Sequence, residues 1–113
     1  RLLEVVHPSF AKEIFFTARQ FDAEEARTMG LANRIVPQAD LETYVTDYAR
    51  TIAGNAPLTV TAIKQIVNEA LKDEADRDLA FCDRLVKACF DSEDYAEGRR
   101  AFAEKRKPNF KGR

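Results

Sequence analysis

The residues best suited to chemistry lie near the C-terminus, in the stretch Asp94-Tyr-Ala-Glu-Gly-Arg-Arg-Ala-Phe-Ala-Glu-Lys-Arg-Lys-Pro-Asn-Phe-Lys-Gly-Arg113. On a helix, Arg99, Phe102 and Arg106 fall at i, i+3 and i+7, and Lys105 lies beside them, three residues after Phe102. An aromatic ring flanked by cations can pack on a purine face while the cations meet phosphates. The same pattern equally describes a surface helix whose Phe102 belongs to a core and whose cations are solvated. Charge is unevenly placed around this stretch. Arg99 to Arg113 holds seven basic residues against one acid, net +6, whereas Glu69 to Gly98 holds ten acids against four bases, net −6. The tail is basic enough to attract an anion or an acidic partner surface.

Little else in the chain offers a reaction centre. There is no glycine-rich phosphate loop, no Cys/His cluster with metal-ligand spacing and no nucleophile elbow. His7 is the single histidine, and beside Pro8 near the terminus it reads as a surface or capping residue. Most carboxylates fall on solvent faces or at helix N-termini, where they complement the helix dipole. Cys82 and Cys89 sit seven residues apart on one predicted helix, about 10 Å by the helical rise, too far for a mutual disulfide. They read as free core thiols, which suits a cytosolic or organellar protein and leads to a cytoplasmic expectation.

The elements that must position these residues are almost all helical. Phe10, Ala11, Ile14 and Phe15 share a face behind Pro8. Asp22 with Glu25 has capping-box spacing for a short helix ending at Gly30, and Leu31 to Val36 reads as an extended piece before Pro37. Asp40 is placed to cap a helix over 41–53, whose Leu41, Tyr44, Val45, Tyr48, Ala49, Ile52 and Ala53 form a clean amphipathic stripe. Pro57 opens a helix carrying Ile63, Ile66, Val67, Ala70 and Leu71. Asp76 to Phe90 supplies another stripe, and Asp94 with Glu97 suggests a capping box for a last helix running to about Lys107, before Pro108. The expected architecture is all-α: about six helices and one short extended segment in a single helical domain, residues 1–113.

Composition supports a folded chain. Of 113 residues, 45% are hydrophobic and 33% charged, which argues against disorder. The net charge of −1 gives no reason to expect nucleic acid or a membrane as partner, and no apolar run approaches the roughly 18 residues of a membrane span. The first residue is Arg1 rather than Met, so the sequence is expected to be a piece of a longer protein.

Three blocks together resemble the enoyl-CoA hydratase/isomerase (crotonase) family. Glu97-Gly98, Ala101-Phe102, Glu104-Lys105-Arg106 and Pro108-Asn-Phe110 are similar to its C-terminal pattern E-G-x-x-A-F-x-E-K-R-x-P-x-F. Phe16-Thr17-Ala18-Arg19 through Gly30-Leu31-Ala-Asn33 to Pro37 resembles its segment L-T-G-R-x-F-x-A-x-E-A-x-x-x-G-L-V-N-x-V-V-P, with Ala18 where the family usually has Gly. Asn55-Ala-Pro57 followed by Ile63-Lys64 resembles its N-S-P helix start. The blocks occur in the family's order and cover nearly the whole chain.

The resemblance implies that the chain is the helical C-terminal portion, next to a ββα-superhelix core that supplies two backbone N–H groups for the thioester oxyanion and the acid/base carboxylates. Nothing in the chain matches the glycine-rich segments that bear those groups, so no catalytic residue is expected here. The resemblance also implies an acyl-CoA substrate, with coenzyme A as part of that substrate and no separate cofactor. It implies a homo-oligomer, trimer or hexamer, and it places Phe102 and Lys105 at the positions that contact the CoA moiety. Two other classes remain open on the residues alone: a stand-alone helical interaction module, and a nucleic-acid binder using the basic tail, which the acidic stretch before it opposes.

Overall fold

The computed structural model describes residues 2–113. Among them there are six α-helices and no strand: α1 Pro8–Thr17, α2 Ala23–Met29, α3 Leu41–Ala53, α4 Pro57–Ala70, α5 Leu79–Phe90 and α6 Glu93–Ala103, with short 3₁₀ turns at Leu2–Glu4, Gln38–Asp40 and Glu74–Asp76. The all-α expectation holds. The stretch from Leu31 to Val36 is irregular rather than a strand. Contacts divide the chain after Tyr44, into a first unit ending there and a second, Val45–Arg113.

In the first unit, Val6, Ala11 and Met29 are buried, with Leu2, Phe10, Ile14 and Phe21 packed around them. His7 caps α1: its Nδ1 accepts from the Ser9 N–H at 3.3 Å, and Pro8 stands in the first turn, where no N–H is needed. The capping box of α2 forms as its sequence suggests. The Glu25 N–H donates to Asp22 Oδ1 at 2.8 Å, and the Asp22 N–H donates to Glu25 Oε2 at 3.0 Å. Two left-handed residues end these helices. Gly30 has φ +90°, and a Cβ there would stand 2.7 Å from the Val5 carbonyl oxygen, so only glycine fits. Ala18 has φ 48° at the end of α1, a conformation that costs a side-chain-bearing residue about 1–2 kcal/mol. Arg19 follows it and binds Glu13 of α1 at 2.8 Å and Glu25 of α2 at 2.7 Å while its guanidinium lies 3.9 Å above the Phe21 ring. Those two carboxylates raise the Arg19 pKa further above its ordinary value.

α3 crosses the division between the units and has no buried residue, although its sequence gives the clearest amphipathic stripe. Val45, Tyr48 and Ile52 are each about half exposed.

In the second unit, α4 and α5 pack along each other and α6 meets α5. The deeply buried apolar residues are the small Ala62 and Ala101, while Ile63, Val67, Leu71, Leu79 and Phe90 stay more than half exposed. α5 begins later than expected: Asp78, not Asp76, accepts from the Phe81 N–H at 2.7 Å, because residues 74–76 are taken up by a 3₁₀ turn. Cys82 and Cys89 are free and half-buried on α5. No helix among the described residues is long and apolar enough to cross a membrane.

Candidate functional site

The chemistry-bearing stretch folds into α6, a tight turn and a strap that runs back along the helix. Ser92 caps α6, accepting from the Tyr95 N–H at 3.1 Å. The expected Asp94–Glu97 capping box therefore does not form; the helix begins two residues too early for it. Both carboxylates instead hold the strap. Asp94, 3% exposed, accepts from the Lys111 N–H at 2.6 Å and the Gly112 N–H at 2.8 Å. Its own N–H donates to the Arg113 carbonyl at 3.2 Å. Gly98 lies under the Phe110 ring, where a Cβ would stand 3.5 Å from Cε1.

Glu97 is the centre of the largest ion-pair cluster among the described residues. It accepts a two-pronged contact from Arg106, at 2.6 and 3.0 Å, a second guanidinium from Arg100 at 3.0 Å, and the Asn109 N–H at 2.9 Å. The Arg106 guanidinium above all, then the Asn109 N–H, hold its carboxyl down at about 2. Arg106 also reaches Glu104 at 2.5 Å. Arg106 is thus folded back onto acids and does not stand free beside Phe102. The arrangement of Arg99, Phe102 and Arg106 on one helical face fails because α6 stops at Ala103, short of the expected Lys107.

It stops in a Schellman turn: the Arg106 N–H bonds the Ala101 carbonyl at 3.0 Å and the Lys105 N–H bonds the Phe102 carbonyl at 3.2 Å. The left-handed position of this turn is Lys105 itself, at φ 53°. Lysine in that place gives no sequence signal for a helix end, whereas glycine would have done so.

Phe102 and Lys105, the two residues that the resemblance singles out, sit on either side of this turn. Phe102 is 87% exposed, so its ring is not part of the core of this chain. It forms one lip of an apolar groove of about 550 Å³, walled by Ile63 of α4, Val86 and Phe90 of α5, Tyr95 of α6 and Phe110 of the strap. Phe90 and Tyr95 meet edge to face at 4.9 Å, and Arg99 stands 6.0 Å from the Tyr95 ring. Lys105 is exposed, and its side chain makes no ion pair among the described residues. The basic tail as a whole is not bare: Arg100, Arg106 and Arg113 each bind a glutamate. Sequence reasoning missed the strap and both carboxylates that hold it. Gly112 (φ +76°), packed against Pro57, and the Pro108 that rules out further helix were the available signals for a folded-back tail.

No cluster of three or more His, Cys, Asp or Glu suited to a metal ion occurs among the described residues. The site can offer an aromatic lip, an apolar trough and an ammonium.

The fold itself is that of crotonase proteins. The chain superposes with a TM-score of 0.88 on an enoyl-CoA hydratase from Mycobacterium marinum, at 32% identity, covering 100% of this chain and 45% of that one. It superposes equally, at 0.88 and 33% identity, on the enoyl-CoA hydratase of Bacillus anthracis, covering 99% of this chain and 43% of that one. More narrowly, the family model for enoyl-CoA hydratase/isomerase matches residues 1–113, and the chain belongs to that family. Among its relatives, it is 37% identical to a short-chain-enoyl-CoA hydratase of Clostridium acetobutylicum, over 100% of this chain and 44% of the relative. It is 38% identical to a methylmalonyl-CoA decarboxylase of Escherichia coli, over 89% of this chain and 40% of the relative. The chain therefore spans less than half the length of the proteins it matches.

Proposed function

We propose that this chain is the C-terminal helical part of an enzyme that transforms an acyl-CoA thioester, by hydrating a 2-enoyl-CoA or moving its double bond, and that its own contribution is to cover the CoA moiety and to build a homo-oligomer. The oxyanion-binding backbone and the acid/base carboxylates belong to residues outside this chain. The observation that carries the reading is the pairing at the end of α6: a ring 87% exposed at the lip of an apolar groove, followed by an ion-pair-free lysine. A ring exposed at the lip of a contiguous apolar groove marks a surface suited to a ligand, and a CoA handle offers both an apolar or purine face and phosphates. The uncovered stripe of α3 supports the oligomer, since burying a Leu-sized side chain contributes about 1.5–3 kcal/mol.

The test is steady-state kinetics and calorimetry with coenzyme A on the full-length protein that carries this chain. Phe102→Ala and Lys105→Ala are each expected to raise KM more than they lower kcat, because contacts far from the reacting carbons bind ground and transition states alike. The loss is about 1–3 kcal/mol for a ring stack or a charged hydrogen bond. KM and coenzyme A affinity unchanged in both variants would end this reading. The isolated chain is expected to show no turnover of a short enoyl-CoA; turnover surviving repurification would place catalytic groups within it.

A further inference from the structure

Lys105 is held in its left-handed turn by groups to which the family resemblance assigned no role. A non-glycine residue at φ 53° persists only where its surroundings over-determine it. Here the turn is bracketed on both sides. Glu104, just before Lys105, receives Arg106, just after it, at 2.5 Å. Arg106 in turn grips Glu97, one turn and more back on α6, with both Nη atoms at 2.6 and 3.0 Å. The next segment is tied to the same carboxylate by the Asn109 N–H at 2.9 Å. Glu97 is well shielded, its side chain 12% exposed, so this is a fixed strut more than a solvent-screened surface pair.

We propose that Glu97, acting through Arg106, is a positioning residue for Lys105: the Glu97–Arg106 pair fixes the left-handed turn that aims the Lys105 ammonium at the phosphates of the CoA handle. Glu97 touches no ligand in this scheme. Its negative charge is spent on Arg106, Arg100 and the Asn109 N–H, and Lys105 makes no ion pair among the described residues. This inference rests on the function proposed above, in which Lys105 meets the CoA moiety.

A double-mutant cycle on the full-length protein tests it, with coenzyme A affinity read by calorimetry, KM and kcat by turnover, and a thermal melt on each variant. Lys105→Ala alone tests the underlying reading, and no loss of affinity there overturns both. Given a loss, Glu97→Gln is expected to weaken coenzyme A binding roughly three- to tenfold in the Lys105 background, as for one misaimed charged contact. It is expected to have no further effect on affinity in the Lys105→Ala background. Arg106→Lys keeps the charge but loses the two-pronged fork, and is expected to behave in the same way, which keeps the test alive should Glu97→Gln fold poorly. Equal losses with and without Lys105, or full affinity in Glu97→Gln and Arg106→Lys, would overturn the positioning role while leaving the binding role of Lys105 standing.

Discussion

Lys105 combines a strained backbone with a proposed ligand contact, so its two contributions can be separated by substitution. At φ 53° a side chain costs about 1–2 kcal/mol relative to glycine. Lys105→Gly removes that cost but enlarges the unfolded ensemble, which takes back about 0.4–1 kcal/mol. Lys105→Ala keeps the β-carbon and so keeps the strain. The glycine variant is therefore expected to be more stable than the alanine variant by about 0.7 kcal/mol. That corresponds to roughly 3–6 °C in melting temperature for a domain of this size. Both variants lose the ammonium, so both are expected to lose coenzyme A affinity to a similar extent in the full-length protein. The assay is a thermal melt of wild type, Lys105→Ala and Lys105→Gly at one fixed protein concentration, since association makes melting concentration-dependent. Glycine and alanine variants that melt together would show that no strain is stored in the turn. Coincident affinities with separated melting temperatures would show strain and binding to be independent properties of one residue.

Ala18, at φ 48°, offers the same test without a ligand: Ala18→Gly is expected to stabilise the chain by about 0.5–1 kcal/mol, and a lower melting temperature would refute the strain argument. Asp94→Ala removes the acceptor of two strap N–H groups and is expected to cost about 2–4 kcal/mol and to speed tryptic cutting after Lys111; an unchanged digestion rate would mean that the strap is held elsewhere. Glu97 lies at about 2 in the folded chain, below its unfolded value near 4.5, so the unfolded state binds more protons between these limits and stability falls as pH drops through that window. Glu25 and Glu69, both lowered by their hydrogen-bonded cation partners, act in the same direction. Melts from pH 7 to 2 are expected to decline below about pH 5, less steeply in Glu97→Gln; parallel slopes would remove Glu97 as a contributor.

The helices were legible because their signals are local. The period of the apolar stripes, Pro8 and Pro57 in first turns, the Asp22–Glu25 box and Gly30 after Met29 each act within one or two turns, and each forms. What the sequence concealed depends on longer or rarer relations. Asp94 and Glu97 have capping spacing, but Ser92 lies closer to the helix start and takes the role, which releases both carboxylates for partners 9 to 18 residues away. The end of α6 was missed because lysine occupies the left-handed position where glycine is the usual marker. Phe102 and Lys105 were named by resemblance to a family pattern; residue chemistry alone could not separate a core phenylalanine from an exposed one, and only the exposure of the ring in the folded chain removes the core alternative.

In the second unit the strap behind α6 is tied down by polar groups, although the apolar core is slight. Alanines at 62 and 101 allow close helix approach but bury little area, so hydrophobic burial among the described residues cannot by itself fix a seven-residue strap. Polar groups take over that task. Two shielded carboxylates on successive turns of α6 accept three strap N–H groups and one guanidinium fork, and Phe110 seals against the bare Gly98 backbone. Such bonds are directional, so they set the course of the strap and the turn at Lys105, whereas apolar packing of the same area would tolerate sliding. A backbone fixed this way presents the Lys105 side chain from one set direction, while its four-carbon stem still has to be ordered when the proposed phosphate binds. The larger apolar side chains of α4 and α5 remain exposed, which leaves them available to the oligomer proposed above.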